Sequence, residues 1–229
     1  MAAGEGRRLR PVTERWAKPV LPIDGRPVIA SLLRELAAAR IQPVTIVTGH
    51  LAAQVEELVG DGSAFGLQVR FARQPRPDGS ADAVSRALGA GAAPPVLVSA
   101  ADTLYAQGDV QRFAAVFSAS GAAGAVGARR GSVPTPGKPG LRVDGSLVVA
   151  IYDLDPGLPL TSAPLWALGP DLVAYLADLP GPPWELKDAY QRAIDDGLAI
   201  ESIEMGKTRD LTDPLDLVEE NFPYLHWTT

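Results

Sequence analysis

Residues 94–102 read "PPVLVSAAD", and residues 109–120 read "DVQRFAAVFSAS". The first is a short, strongly apolar run closed by an aspartate, the pattern of a buried strand with Asp102 at its carboxyl end. The second places apolar residues at helical spacing, so it reads as the helix that follows. The same alternation runs back towards the start. Residues 27–41, "PVIASLLRELAAARI", put Ile29, Leu32, Leu33 and Leu36 on one helical face. "PVTIVTG" (43–49) is a buried strand ending in glycine, "LAAQVEELVG" (51–60) a helix, and "LQVRFAR" (67–73) a strand. "SADAVSRALGAG" (80–91) is a helix, with Ser80 as the expected N-cap and Asp82 in the favoured first turn. Strands alternating with helices predict an α/β fold, a mostly parallel sheet flanked by helices. In such sheets ligands bind beyond the carboxyl ends of the strands, which puts Asp102 near the expected site.

Beyond residue 130 the texture changes. "GSVPTPGKPG" (131–140) is a loop without periodicity, and "LRVDGSLVVAIYDL" (141–154) is a hairpin turning at Asp144–Gly145. "APLWAL" (163–168) and "LAIESIEM" (198–205) are strands; "PDLVAYLADL" (170–179) and "ELKDAYQRAIDDG" (185–197) are helices. The later half is expected to decorate the earlier one, with no composition break to mark a domain boundary.

At 229 residues the chain is long enough for one sizeable core, with two domains possible but not required. A net charge of −6 argues against general binding to nucleic-acid backbones, while leaving room for a local cationic site for a small anion. The absence of cysteine excludes disulfides and thiolate metal sites, and two histidines, His50 and His226, exclude a histidine-rich one. No signal peptide and no membrane-length apolar run is found, so the expected location is cytoplasmic.

The opening, "MAAGEGRRLRPVT", combines glycines with Arg7, Arg8 and Arg10. Gly4-x-Gly6 matches neither the dinucleotide fingerprint nor a P-loop. Guanidinium groups beside uncovered backbone N–H groups suit phosphate oxygens, and a solvated basic terminus is the equal alternative. Lys18, fixed between an apolar strip and Pro19, is a lysine whose ammonium can be aimed at a transferring phosphoryl group, or an ordinary surface lysine.

Residues 4–29, "GEGRRLRPVTERWAKPVLPIDGRPVI", resemble the signature of the sugar-phosphate nucleotidyltransferases. "QPRPDGSADAV" (74–84), "SAADTLY" (99–105) and the tail from Glu185 to Asn221 are similar, in order, to later motifs of that family. The resemblance implies a Rossmann-like single domain over 1–229, with a nucleotide-binding part at 1–130. An acceptor-binding part with the C-terminal metal motif would occupy 131–229. It implies that Gly4, Gly6 and Arg8 grip a nucleoside triphosphate and that Lys18 lies near the reacting phosphate. Gln74 and Gly79 would contact the base, and Asp102 and Asp210 would share a Mg²⁺. The expected partners are a nucleoside triphosphate, dTTP or UTP, and a sugar 1-phosphate, with a homo-oligomer compatible; neither nucleic acid nor membrane is expected.

Several positions depart from that pattern. Arg7 replaces a small residue, adding charge and bulk to the loop. Ala101 and Thr103 flank Asp102 in place of glycine and asparagine. The glutamate–lysine–proline segment that grips the sugar is replaced by "AIYDLDPG" (150–157), and Pro164 stands where glycine is expected. Asp153 and Glu185 are the candidate acceptor contacts that remain. A cytidylyltransferase for a small phosphorylated alcohol such as phosphocholine, or a non-catalytic regulatory relative, are the competing readings. Trp166, Tyr152 and Tyr175 are expected in the core. Relatives begin with a central strand just where Met1 falls. The expectations are therefore a first strand missing or truncated, a gap with unpaired backbone on its neighbours, and a natural start upstream.

Overall fold

The computed structural model describes residues 1–135 and 138–222, apart from the side chains of Tyr152 and Asp153. The Asp153 acceptor contact, the core placement of Tyr152 and the packing of His226 and Trp227 therefore lie outside the described residues.

The first half follows the predicted alternation. A two-strand turn, β1 (Pro22–Ile23) and β2 (Arg26–Pro27), leads into α1 (Val28–Ala38), whose Ile29, Leu32, Leu33 and Leu36 are all buried. Then come β3 (Val44–Thr48), α2 (Ala52–Val59), β4 (Val69–Arg73), α3 (Ser80–Gly89), β5 (Val96–Ser99), β6 (Thr103–Leu104) and α4 (Asp109–Ser120). The second half supplies β7 (Gly124–Arg130), β8 (Gly140–Asp144), β9 (Leu147–Asp153), β10 (Leu160–Leu168), α5 (Leu186–Asp195), β11 (Ile200–Glu204), β12 (Arg209–Asp210) and α6 (Pro214–Glu219). Residues Pro170–Leu176 form a 3₁₀ helix where an α-helix is expected.

The molecule is mixed α/β, but a mostly parallel sheet does not describe it. Six strands run in the order β5-β10-β7-β11-β9-β8, and only β7 with β11 is parallel. A further bridge, Thr161 to Gly140, joins β10 to β8 and closes five of them into a small mixed barrel. The later strands thus build the central sheet rather than decorate it. The reason is local: β10 is buried along nearly its whole length and pairs on both sides, with β5 and with β7.

The parallel pair β3–β4 stands apart from this sheet. Among the described residues, Met1 and Ala2 bridge β3 and β5. The Ala2 N–H donates to Val47 O (2.8 Å), the Met1 amine to Ser99 O (2.7 Å), and Ala101 N–H to Met1 O (2.9 Å). Alongside Met1, a cavity of about 330 Å³ is lined by β3, β5 and the apolar faces of α1 and α3. Burial pushes the Met1 amine down to about 6, against a partial rise from Asp102.

Candidate active site

The opening loop is held by its apolar and small residues. Leu9 is fully buried with Leu21, Ile23, Val28 and Leu211. Gly6 takes a left-handed φ of 61°, and a Cβ there would meet Thr13 Cγ2 at 2.8 Å. Thr13 returns a bond from its hydroxyl to Gly6 O (2.9 Å), and a His50 ring nitrogen bonds Thr13 O (2.7 Å). His50 is therefore a brace behind the loop. No group among the described residues accepts from the backbone N–H groups of Gly4 to Arg7, a run of donors suited to an anion. Arg7 does not add its bulk to the site: it is exposed and bonds Glu5 at 2.8 Å, with Arg10 reaching the same carboxylate.

Arg8 and Lys18 line a second cavity, of about 580 Å³, together with Asp102, Asp210 and Glu185. Their convergence has a structural cause. Asp102 lies three residues past β5 and directly before β6, while Asp210 sits on β12 opposite Thr103 in the β6–β12 register. The two carboxylates are thus brought to the wall of one cavity by chain segments over a hundred residues apart. Each faces a lysine: Lys18 pairs with Asp102, and Lys138 with Asp210 at 3.6 Å.

β12 is itself clasped. Arg209 forks onto Asp24 (2.6 and 2.9 Å) and bonds Glu220 (2.5 Å), and Asn221 bonds Pro22 O and Gly25 N–H. These contacts drive the Arg209 pKa up, with the hydrogen bond to Asp24 the largest cause. Leu211 is buried beneath, and Asp213 with Asp216 forms a capping box on α6.

Ser80 is the first residue of α3 rather than its N-cap, which is Gly79. Its hydroxyl instead crosses to α5, accepting from Leu186 N–H (2.7 Å) and donating to Glu185 (2.5 Å). A free helix terminus on a neighbouring element competed successfully for that hydroxyl. Glu185 lines the cavity from this position.

Gln74 and Gly79 come together but outside the lining of that cavity. The buried Gln74 amide donates to Gly79 O and to Asp82, both at 2.8 Å. Gly79 is wedged against Trp184, whose carbonyl oxygen would lie 2.2 Å from a Cβ. Gly4 and Gly6 likewise do not line the cavity. Trp166 is buried with its ring edge-on to Tyr190 at 4.8 Å, as expected of core, and also lines the cavity; Tyr175 bonds Asp196 at the surface. Pro164 is accommodated because it falls in a bulge between Ser162 and Trp166, where no ladder donor is required. Its carbonyl accepts from Ala100 N–H and the Tyr105 hydroxyl, whose pKa burial raises.

Two cations here have no warning in the sequence: Arg129 on β7 and Lys138 beside β8. Both line the cavity, as does Lys187 of α5.

The family profile described as "Nucleotidyl transferase" matches residues 1–136. The chain belongs to this family. Over 84 residues it is 42% identical to a glucose-1-phosphate thymidylyltransferase of Streptomyces antibioticus, covering 37% of this chain and 24% of that protein. It is 38% identical over 89 residues to a mannose-1-phosphate guanylyltransferase of Mycobacterium tuberculosis, covering 39% of this chain and 25% of that one. The chain thus spans about a quarter of the length of these curated relatives. A structure of a Bacillus anthracis protein described as a glucose-1-phosphate thymidylyltransferase, in complex with sucrose, superposes with a TM-score of 0.85. That match covers 96% of this chain and 91% of the other at 19% identity, so it speaks to the fold alone.

Asp102 and Asp210, with no metal-binding cluster of three or more acidic, histidine or cysteine residues among the described residues, do not make an all-protein metal cage. They do fit Mg²⁺, which takes one or two carboxylates and completes its shell with substrate phosphates and water. Among the described residues no helix is long and apolar enough to cross a membrane.

Proposed function

We propose that this nucleotidyl transferase family protein transfers a nucleoside monophosphate from a nucleoside triphosphate, dTTP or UTP, to a sugar 1-phosphate, releasing pyrophosphate. The observation that carries the reading is the single cavity shared by Arg8, Lys18, Asp102 and Asp210, residues from opposite ends of the chain. On this reading residues 1–130 bind the nucleotide and 131–229 supply the acceptor side and the second metal-binding aspartate.

An oxygen of the acceptor phosphate attacks the α-phosphorus in line. The bond from that phosphorus to the bridging oxygen breaks, and its electron pair leaves with pyrophosphate. The attacking phosphate is already ionised, so no protein base or nucleophile is required. Asp102 and Asp210 would hold a Mg²⁺, which when bound would supply neutralising charge to the reacting phosphates. Arg8 and the free N–H groups of the opening loop hold the triphosphate. Lys18, paired with Asp102 in the free protein, turns its charge to the phosphoryl oxygens when substrate enters. Gln74 and Gly79 are assigned to the base; the Gln74 Nε2 hydrogens are engaged with Gly79 O and Asp82, so its amide oxygen is the atom left to accept from a base N–H. Asp153 and Glu185 are assigned to the acceptor.

The test is pyrophosphate release with each of dTTP, UTP, GTP and CTP against glucose 1-phosphate, mannose 1-phosphate and phosphocholine, with Mg²⁺. Turnover with a sugar phosphate supports the reading; turnover with phosphocholine alone moves it to the phosphorylated-alcohol class. Silence with every pair favours a regulatory role. Lys18→Ala is expected to lower turnover by about 100-fold or more while changing nucleotide affinity only a few-fold. Retained turnover in that variant would remove Lys18 from the mechanism.

A further inference from the structure

Arg129 is 8% exposed, yet it pairs with no carboxylate among the described residues. Its two terminal nitrogens are held by Ser162 O (2.8 Å) and Thr208 Oγ1 (2.6 Å), both neutral. Its Nε is buried with no partner at all. A guanidinium charge withdrawn from water and left uncompensated is costly, and burial accordingly pushes its pKa down, with Asp210 pulling the other way. The other buried orphan among the described residues is Thr161 Oγ1, and Thr161 is the residue directly opposite Arg129 in the β7–β10 register. Two orphaned donors therefore stand on one face of one strand pair, and Arg129 lines the 580 Å³ cavity.

The charge around that cavity points the same way. The protein carries −6 overall, yet this cavity is lined by five cationic side chains against three carboxylates. Arg8 and Lys18 are already assigned to the nucleotide, leaving Arg129, Lys138 and Lys187. Lys138 lies within 3.6 Å of Asp210, so a single dianion beside it would meet a lysine, a guanidinium and the metal-binding carboxylate's edge of the site.

We propose that Arg129 and Lys138 form the seat of the acceptor's phosphate, with the spare Arg129 Nε–H donating to a phosphate oxygen. Resting on the nucleotidyltransferase reading, this names residues for the acceptor half, where the expected glutamate–lysine–proline segment is missing. It makes the acceptor a phosphomonoester whose phosphate lies against β7. The guanidinium is already oriented by Ser162 and Thr208, and the groups that cover its Nε in the free protein shift to admit the phosphate oxygen.

Binding can be separated from turnover. Wild type, Arg129→Met, Arg129→Lys and Lys138→Met are titrated calorimetrically with inorganic phosphate, with glucose 1-phosphate, with glucose and with UTP, after thermal melts establish folding. Expected is at least a tenfold loss of affinity for phosphate and glucose 1-phosphate in Arg129→Met, a smaller loss in Arg129→Lys and Lys138→Met, and UTP affinity within about twofold of wild type. Wild-type phosphate affinity in folded Arg129→Met overturns the proposal, as does an equal loss of UTP binding. Should Arg129→Met fail to fold, unchanged phosphate affinity in both Arg129→Lys and Lys138→Met overturns it. Absence of turnover in wild type with normal, Arg129-dependent phosphate binding refutes the nucleotidyltransferase reading but leaves the phosphate seat standing.

Discussion

At the scale of single residues, two glycines separate the effects of space and of backbone angle. Gly79 and Gly25 both take left-handed φ values, 106° and 70°. At Gly79 a Cβ would sit 2.2 Å from the Trp184 carbonyl oxygen, backbone fixed by bonds from Trp184 N–H to Asp78 O and from Ala81 N–H to Trp184 O. At Gly25 nothing lies within 4 Å. Gly79→Ala is therefore expected to cost about 2–4 kcal/mol, and Gly25→Ala only about 1 kcal/mol, the strain of φ alone. Urea unfolding of both variants checks this; equal losses would mean that contact with Trp184 contributes nothing. The site residues divide in a related way. Asp102 and Asp210 were legible because each sits in a distinctive local run. Arg129 was not, since in "GARR" it is one of two neighbouring arginines, and only the β7–β10 pairing makes it the buried one while Arg130 stays at the surface with Glu204.

At the scale of elements, helices with a clear apolar stripe, such as α1 and α4, could be read from spacing because their periodicity is local. β7 could not: "GAVGARR" carries one β-branched residue, and its strand state is imposed by β10 on one side and β11 on the other. The sheet direction failed for the same reason, since strand partners are chosen by burial across the molecule rather than by the order of elements. The junction of α3 and α5 shows how such long-range choices are enforced. Ser80 Oγ caps α5 at Leu186 N–H and holds Glu185, across more than a hundred residues of sequence. Ser80→Ala is expected to destabilise by about 1 kcal/mol, the usual loss of a cap. It should also raise amide exchange at the first turn of α5 more than elsewhere. A uniform rise in exchange would instead assign Ser80 to general packing. The Arg209 clasp makes a parallel case: Arg209→Met frees β12 from the β1–β2 turn, and Mg²⁺-dependent turnover is expected to fall more than stability does.

At the scale of the whole molecule, the β3–β4 pair is stitched to β5 by the main chain of two residues, Met1 and Ala2. Met1 bonds Ser99 on β5 and Ala101 just beyond it, Ala2 bonds Val47 on β3, and among the described residues no other ladder connects the β3–β4 pair to the six-stranded sheet. Where the chain begins at Met1, its amine makes the first of these bonds, and burial pushes its pKa down to about 6 from an ordinary value of 8.0. Desolvation is the main cause, and the Asp102 charge offsets only part of it. Because the folded pKa lies below the unfolded one, the unfolded chain binds more protons between pH 6 and 8. Stability therefore rises with pH across that window, by about 2–3 kcal/mol, and is flat with respect to this group above pH 8 and below pH 6. In protein carrying a free amine at Met1, urea midpoints measured from pH 5.5 to 8.5 should climb accordingly. Acetylating that amine replaces it with an amide N–H that still donates to Ser99 O but does not titrate. The acetylated protein is expected to lose the slope and to match or exceed the free-amine protein's stability at pH 6. An unchanged slope after acetylation would place the titrating group elsewhere, and loss of folding on acetylation would mean that the space beside Met1 between β3 and β5 cannot accept even two carbons.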